Sequence, residues 1–339
     1  MKGIIIAGGF GTRLHPLTHH RPKHLLPLGN RPFLEYQAAL LRRHGIREIV
    51  LAANYLAGMI QAHFGDGSSF GVRMQCALEE TPLGTAGAIR NAARHALGER
   101  VIVLNGDILT DFDLGAVLRF HEERGAAATI ALRAVERPHA FGVLDTDPEG
   151  RVAYWREPSE EEKRRVAASP GPPTGEFDFI NAGIYVLEPE VVEGIPEGRP
   201  ASIERETFPA LIQSGAPVYG IAPEGFWLDM GRPEQYLAAS RAILTRVVDT
   251  DVPFQPVAGD ARVAPGAEID AETSLGPGVR VEEGARIQAS IILAGSSVGP
   301  GARIRGGIVD ERVRIGAEAE VRPGAVLAAG SILERGSRI

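Results

Sequence analysis

From Val263 onward, aliphatic residues recur at Ile269, Leu275, Val281, Ile287, Ile292, Val298, Ile304, Val309, Ile315, Val321, Leu327, Leu333 and Ile339, at intervals of six with two of five. Sets such as "LGPGVR", "VGPGAR" and "VRPGAV" supply one inward aliphatic side chain per flat side and glycine at the turns. This spacing predicts a parallel β-helix, which needs stacked coils because no single coil buries its own face. Fourteen register positions at three sides per coil predict between four and five coils. A β-helix over 261–339 is therefore expected, joined by a linker at 249–260 to a first domain spanning 1–248.

Within 1–248 the pattern is different. Short apolar runs alternate with stretches of helical period: "GIIIAG", "PFLEYQAALLRRHG", "REIVLAAN", "TAGAIRNAARHALG" and "RVIVLNGD". Strands and helices in turn predict an α/β fold with parallel strands and crossover helices. Pro32 suits a first helical turn and Gly45 a helix stop. The mixed-charge, proline-rich segment 159–176 reads as a surface insertion.

The formal net charge of −7 provides no basic field for nucleic acid. A single cysteine, Cys76, excludes an intrachain disulfide framework, and it sits in an apolar strand as a small hydrophobe. No run approaches the ~18 apolar residues of a membrane span. The expected setting is the cytoplasm, with no membrane partner.

The first apolar run ends in "AGGFGTRLHPLTHHRPKHLLPL". Gly8, Gly9 and Gly11 leave backbone N–H groups open to a phosphate directly after a strand. Arg13 closes this loop and Lys23 follows in "RPKHLLP", one cation suited to a bidentate grip on pyrophosphate and one to a point charge. A strand ending "VIVLNGD" places Asp107 at the usual ligand crevice of such folds. Asp229 stands in "GFWLDMG". Two carboxylates at a phosphate-filled crevice would suit Mg²⁺. His15, His19, His20 and His24 lack a zinc-ligand pattern and read as surface or phosphate-proximal. Trp155 and Trp227 read as packing residues.

In this order, "GGFGTRLHPLT", "RPKHLLPL", "EETPLGTAGAI", "NGDIL", "FGVLDTD", "NAGIYVLEP", "SIERETFP" and "GFWLDMGRPEQYL" resemble the sugar-1-phosphate nucleotidyltransferase family. The resemblance covers the whole chain and is strongest to mannose-1-phosphate guanylyltransferases that carry a hexapeptide-repeat domain. It implies a Rossmann-like mixed sheet followed by a left-handed β-helix. It further implies that Ala7, Gly8, Gly9, Gly11 and Thr12 surround the nucleotide phosphates, while Arg13 and Lys23 neutralise the reacting phosphates. Asp107 and Asp229 would hold Mg²⁺. Glu79 stands where thymidylyltransferases of the family carry a base-reading glutamine, with Gly84 approaching the base; a carboxylate there accepts from guanine N1–H and N2–H₂. Gly142 and Asn181 match sugar-pocket positions. The substrates implied are a nucleoside triphosphate, GTP first, and a sugar 1-phosphate, mannose 1-phosphate first.

The chain departs from the family at "YWREPSE", where the family carries F-x-E-K-P. In the ungapped register Arg156 takes the glutamate's place and Glu157 that of the lysine that meets the sugar phosphate. Two like charges ~4 Å apart at an effective dielectric near 20 repel by about 4 kcal/mol, so such an exchange needs compensation. Either Arg156 turns inward, the register slips by one, or the sugar differs. A regulatory homologue that binds nucleotide sugars without turnover stays open, as do UTP or dTTP with glucose 1-phosphate, or a heptose 1-phosphate. The last histidine is His139, so the repeat domain lacks the histidine base of β-helix acyltransferases. Its expected role is assembly of a homo-oligomer, substrate placement or regulation.

Overall fold

The structure is a computed structural model that describes residues 1–96, 98–136, 142–156, 158–159, 161–162, 164–165 and 175–339. Glu157 and most of the expected insertion at 159–176 lie outside the described residues. Two compact units form. The first comprises Met1–Gly9, Leu40–Ile108 and Phe112–Trp227, the second Phe10–Ala39, Leu109–Asp111 and Leu228–Ile339.

A nine-stranded sheet organises the first unit. Its centre is the strand Lys2–Ala7, parallel to Glu48–Ala53 on one side and Val101–Asn105 on the other, with Ile4 opposite Val50 and Val103. Arg73–Leu78 extends the parallel part beyond Glu48–Ala53. Ile4 and Ile5 are both fully buried, which explains why this strand is apolar without alternation. The helix Gly84–Ala92 packs on one face through Ala86, Ala88, Ile89 and Ala92, small residues that let its backbone approach closely. On the other face Leu41 lies so near Gly3 that a Cβ there would meet it at 2.9 Å.

The remaining strands are not all parallel as simple alternation predicts, although Val218–Ile221 does pair in parallel with Ala128–Glu136. Phe177–Leu187 runs antiparallel to Val101–Asn105 and to Ala128–Glu136, giving the mixed sheet that the family resemblance implies. The first long helix begins at Phe33 rather than at Pro32, which is held in a short ladder with Pro27. Gly45, at φ 80°, does follow the end of that helix.

In the second unit the repeat region forms three parallel sheets of five, four and four two- or three-residue strands, the architecture of a left-handed β-helix. Val263, Val281, Val298, Ile315 and Leu333 stack on one side. Ile269, Ile287, Ile304 and Val321 stack on the second, and Leu275, Ile292, Val309 and Leu327 on the third. The interior is closed and aliphatic; each fully buried Ile or Leu contributes about 1.5–3 kcal/mol.

The rest of the second unit packs on this prism. Tyr236, from the helix Pro233–Leu244, donates to Pro27 O at 2.8 Å. Asn30 donates to Gln255 O at 2.7 Å and Leu275 O at 2.9 Å, and Arg241 pairs with Glu272 at 2.7 Å.

Candidate active site

Three parallel strands of the first unit end together. Ala7 leads into Gly8 and Gly9, Leu78 into Glu79, and Asn105 into Gly106 and Asp107. Gly106 N donates to Ile6 O at 3.0 Å and Glu79 N to Ala53 O at 3.0 Å, so the strand ends are tied to one another. The carboxyl edge of a parallel sheet is where the exposed N–H groups of its loops converge on ligands.

Glu79 is half-buried and held in a defined orientation. Its Oε2 accepts from Leu83 N at 3.0 Å, and its backbone carbonyl accepts from Asn54 Nδ2 at 2.8 Å. Its other oxygen, Oε1, is shielded from solvent and has no hydrogen-bond partner among the described residues. Burial pushes the carboxyl above the usual carboxylate range, against the pull of the Leu83 amide. A Cβ at Gly8 would sit 3.4 Å from that oxygen, so glycine keeps the space in front of it open. Gly84 has a different reason to be glycine: at φ +69° its Cβ would come within 2.6 Å of Ala201 O.

Gly142, Arg156 and Asn181 also belong to this unit and come together through Val143, which pairs with Arg156 on one side and Ile180 on the other. Gly142 is buried. Arg156, by contrast, is exposed and binds Glu162 Oε1 at 2.9 Å. Asn181 sits where the long strand is irregular: its Oδ1 accepts from Gly183 N at 2.9 Å and its Nδ2 donates to Tyr185 OH at 2.7 Å.

Sequence reasoning missed what lies beyond Asn181. Tyr185 is fully buried, and burial together with the nearby Glu204 charge raises its pKa well above the ordinary value, so the phenol stays protonated. Glu204 accepts from Thr85 Oγ1 at 2.7 Å and from Ser202 Oγ at 2.8 Å. The motifs "NAGIY" and "SIERETFP" flagged these segments, but no local signal links Glu204 to Thr85, 119 positions away. Trp155 and Trp227 are packing residues: the first stacks on Phe208, the second donates to Ala182 O at 2.8 Å.

The second unit carries the cations. Gly11, at φ 66°, precedes the short turn Thr12–Leu14, and Thr18 Oγ1 donates to its carbonyl at 2.9 Å. A Cβ at Gly11 would also lie 3.4 Å from Lys23 Cβ, so the loop glycine and Lys23 are neighbours. Arg13 is exposed, and no ion pair holds it among the described residues. Its guanidinium rests on Gly231: a Cβ there would meet Arg13 Nη2 at 2.7 Å and Asp229 Oδ1 at 3.0 Å. Arg13 and Asp229 are thus brought together.

The histidines divide. His24 is fully buried, which corrects its reading as a surface residue. His20 faces the acidic Asp310 and Glu311 at 3.9 and 4.0 Å. Cys76 is half-buried on Arg73–Leu78, and burial raises its thiol pKa. Among the described residues no helix is long and apolar enough to cross a membrane.

Known proteins resemble the chain over most of its length. The profile of the family described as "Nucleotidyl transferase" matches residues 2–246, and that of "GMPPB C-terminal domain" matches residues 255–337. A mannose-1-phosphate guanylyltransferase from Mycobacterium tuberculosis is 37% identical over 301 residues, covering 87% of this chain and 80% of that protein. A UTP–glucose-1-phosphate uridylyltransferase from Synechocystis is 32% identical, with 85% and 76% covered. Among solved structures, HddC from Yersinia pseudotuberculosis in complex with GMP-PN superposes with a TM-score of 0.59 at 25% identity, covering 71% of this chain and 99% of that one. The chain belongs to the nucleotidyl transferase family and is a nucleotidyltransferase with a C-terminal β-helix.

Proposed function

We propose that this nucleotidyltransferase uses GTP and mannose 1-phosphate, forming GDP-mannose and pyrophosphate. A phosphate oxygen of the sugar 1-phosphate attacks the α-phosphorus of GTP in line. The bond from the α-phosphorus to the bridging oxygen breaks, and pyrophosphate leaves with the electron pair. No covalent enzyme intermediate is needed. Both reactants are anions, so what the protein supplies is charge and alignment.

Glu79 Oε1 carries the choice of base. A shielded carboxylate oxygen that lacks a donor is costly, and guanine offers N1–H and N2–H₂ side by side, whereas uracil and thymine offer a single N–H flanked by carbonyls. The Leu83 amide holds the carboxylate so that Oε1 faces the space kept open by Gly8. The amides of Gly8, Gly9 and Gly11, with Ala7 and Thr12 around them, would receive the phosphates. Arg13, resting on Gly231, would bind the departing pyrophosphate in bidentate fashion, and Lys23 would meet the charge spreading around the α-phosphate. Gly142 and Asn181 would line the sugar pocket. Arg156 would reach the sugar phosphate by exchanging its Glu162 partner for it.

Asp107 and Asp229 offer only hard carboxylate oxygens, which suit Mg²⁺ completed by phosphate oxygens. When bound, that ion would lower the charge on the phosphate oxygens and ease their approach. The chain's place would be the cytoplasm, as a homo-oligomer assembled through its β-helix.

Pyrophosphate release across GTP, ATP, UTP and dTTP, each with mannose 1-phosphate, glucose 1-phosphate and a heptose 1-phosphate, tests the reading. GTP with mannose 1-phosphate is expected to turn over fastest. Glu79→Gln is expected to cost about 1–3 kcal/mol of guanine preference, that is roughly 5- to 150-fold in relative kcat/KM, because the amide presents a donor where a donor already points. A wild-type preference for UTP or dTTP would refute the assignment to guanine.

A further inference from the structure

Two residues before Lys23, the side chain of Arg21 is buried against the β-helix. Its Nη2 lies 3.0 Å from Asp310 Oδ1 and 2.9 Å from Glu311 Oε1. Asp310 has no solvent exposure and is built into its coil: Oδ1 accepts from Glu311 N at 2.8 Å, and its carbonyl accepts from Ser296 Oγ at 2.7 Å. His20 Nε2 stands 2.9 Å from Arg21 Nη2. Burial pushes the Asp310 carboxyl above the usual range, while the Glu311 amide, Arg21 and His20 oppose that shift.

A buried pair of this kind is a weak stabilising device, since well-packed apolar residues at such a place often do as well. What it does supply is a fixed direction. The segment that contains Arg13 and Lys23 is held on the β-helix a second time by Asn30, whose Nδ2 reaches Gln255 O and Leu275 O. Next to it, Gly29 lies against Phe254, where a Cβ would come within 2.8 Å. Between the two anchors the turn Lys23–Leu25 is short, with Leu25 N on Pro22 O at 3.0 Å and Leu26 N on Lys23 O at 3.1 Å. Lys23 therefore sits between two points fixed to the β-helix, and the chain from Phe10 to Ala39 belongs to the β-helix unit although it follows the first strand of the sheet in sequence.

We propose that Asp310, acting through Arg21, is a positioning residue for Lys23, so that the β-helix sets the placement of a catalytic cation. This rests on the reading of Lys23 as the lysine that meets the reacting phosphates. Misplacing such a group by about 1 Å costs up to about 100-fold in rate.

The test is Asp310→Asn, which keeps the shape and removes the charge. The expected result is a fall in kcat of about 10- to 100-fold with the KM for the sugar 1-phosphate nearly unchanged. In the Lys23→Ala background the same substitution is expected to cause no further loss, because groups acting as one unit are not additive. Amide exchange at Leu25 and Leu26 is expected to accelerate, while that of the sheet strand Val101–Asn105 stays the same. Additive losses in the double variant, or unchanged kcat and exchange in Asp310→Asn, would overturn the proposal. If Asp310→Asn does not fold, Arg21→Met with Asp310→Leu removes both charges together. That pair is expected to give a folded protein with the same loss of kcat, and full activity in it would overturn the proposal. If the wild type turns over no substrate pair, the assigned function fails, and exchange at Leu25 and Leu26 still decides whether Asp310 holds the turn.

Discussion

In the β-helix, Ile287, Ile304 and Val321 occupy equivalent places in successive coils, so each buried side chain repeats the surroundings of the one before it. At the carboxyl edge of the nine-stranded sheet, Gly8, Glu79 and Asp107 have no equivalents, and each is where it is because a different strand ends there. The first region satisfies the polar residues of its repeating interior: Ser290 and Ser296, for example, receive Gly307 N and Val313 N at 3.1 Å. The second leaves Glu79 Oε1 shielded and unmatched. Repeating interior positions such as these meet their hydrogen-bonding capacity within the coils, whereas a site holds an unmet capacity that a ligand then meets.

The largest expected effect breaks the repeating side of this comparison. Ile304 is 1% exposed and stacked between Ile287 and Val321, so Ile304→Ala leaves a cavity that neighbouring coils cannot close and costs about 2–5 kcal/mol. Denaturant unfolding followed by circular dichroism measures it. A loss below about 0.5 kcal/mol, the size of an ordinary surface change, would mean that the coils do not depend on one another as stacked repeats should.

A smaller effect sharpens the other side. Gly231→Ala places a methyl against the flexible end of Arg13 and beside Asp229, and the buried backbone around it is left intact. Stability is expected to stay within about 0.5 kcal/mol of the wild type, while kcat falls about tenfold or more as the guanidinium is displaced. Parallel assays of turnover and thermal unfolding separate the two. Equal losses in both would place Gly231 with the structural glycines, such as Gly84.

These two regions also differ in how far the sequence reveals them. The stacked aliphatic positions of the β-helix from Ile269 to Leu333 are legible, because a single period fixes both the fold and the register. The strand ends are legible in part, since glycine clusters and apolar runs mark Gly8 and Asp107, and the order of motifs marks Glu79. Partnerships between distant residues are not legible. Arg21 and Asp310 stand 289 positions apart, and nothing near either residue names the other. The partner of Arg156 was equally hidden, for the segment suggests an inward cation and the folded chain gives it Glu162. Pairings of this kind are set by tertiary geometry and not by local propensity.

The smallest effect comes from a buried polar cluster far from both regions in character, hydrogen-bonded like Ser290 and Ser296 but titratable. His121 is 1% exposed, with Nδ1 2.8 Å from Thr129 Oγ1 and Nε2 3.0 Å from Glu188 Oε1. Burial lowers its pKa below 6.5, and the Glu188 carboxylate opposes this without reversing it, while Arg100, bound to Glu188 at 2.7 Å, adds to the lowering. The unfolded chain therefore binds a proton at this histidine more readily than the folded one does. Stability is complete above the unfolded value near 6.5 and is lost as pH falls through the folded value. His44 is also lowered by burial and adds to the same slope, against the pull of Asp113. His121→Gln keeps a donor and an acceptor but removes the titration, so the slope of unfolding free energy between pH 7 and pH 5 is expected to flatten relative to the wild type. An unchanged slope would mean that the Glu188 carboxylate offsets burial fully and that His121 binds its proton equally well in the folded and the unfolded chain.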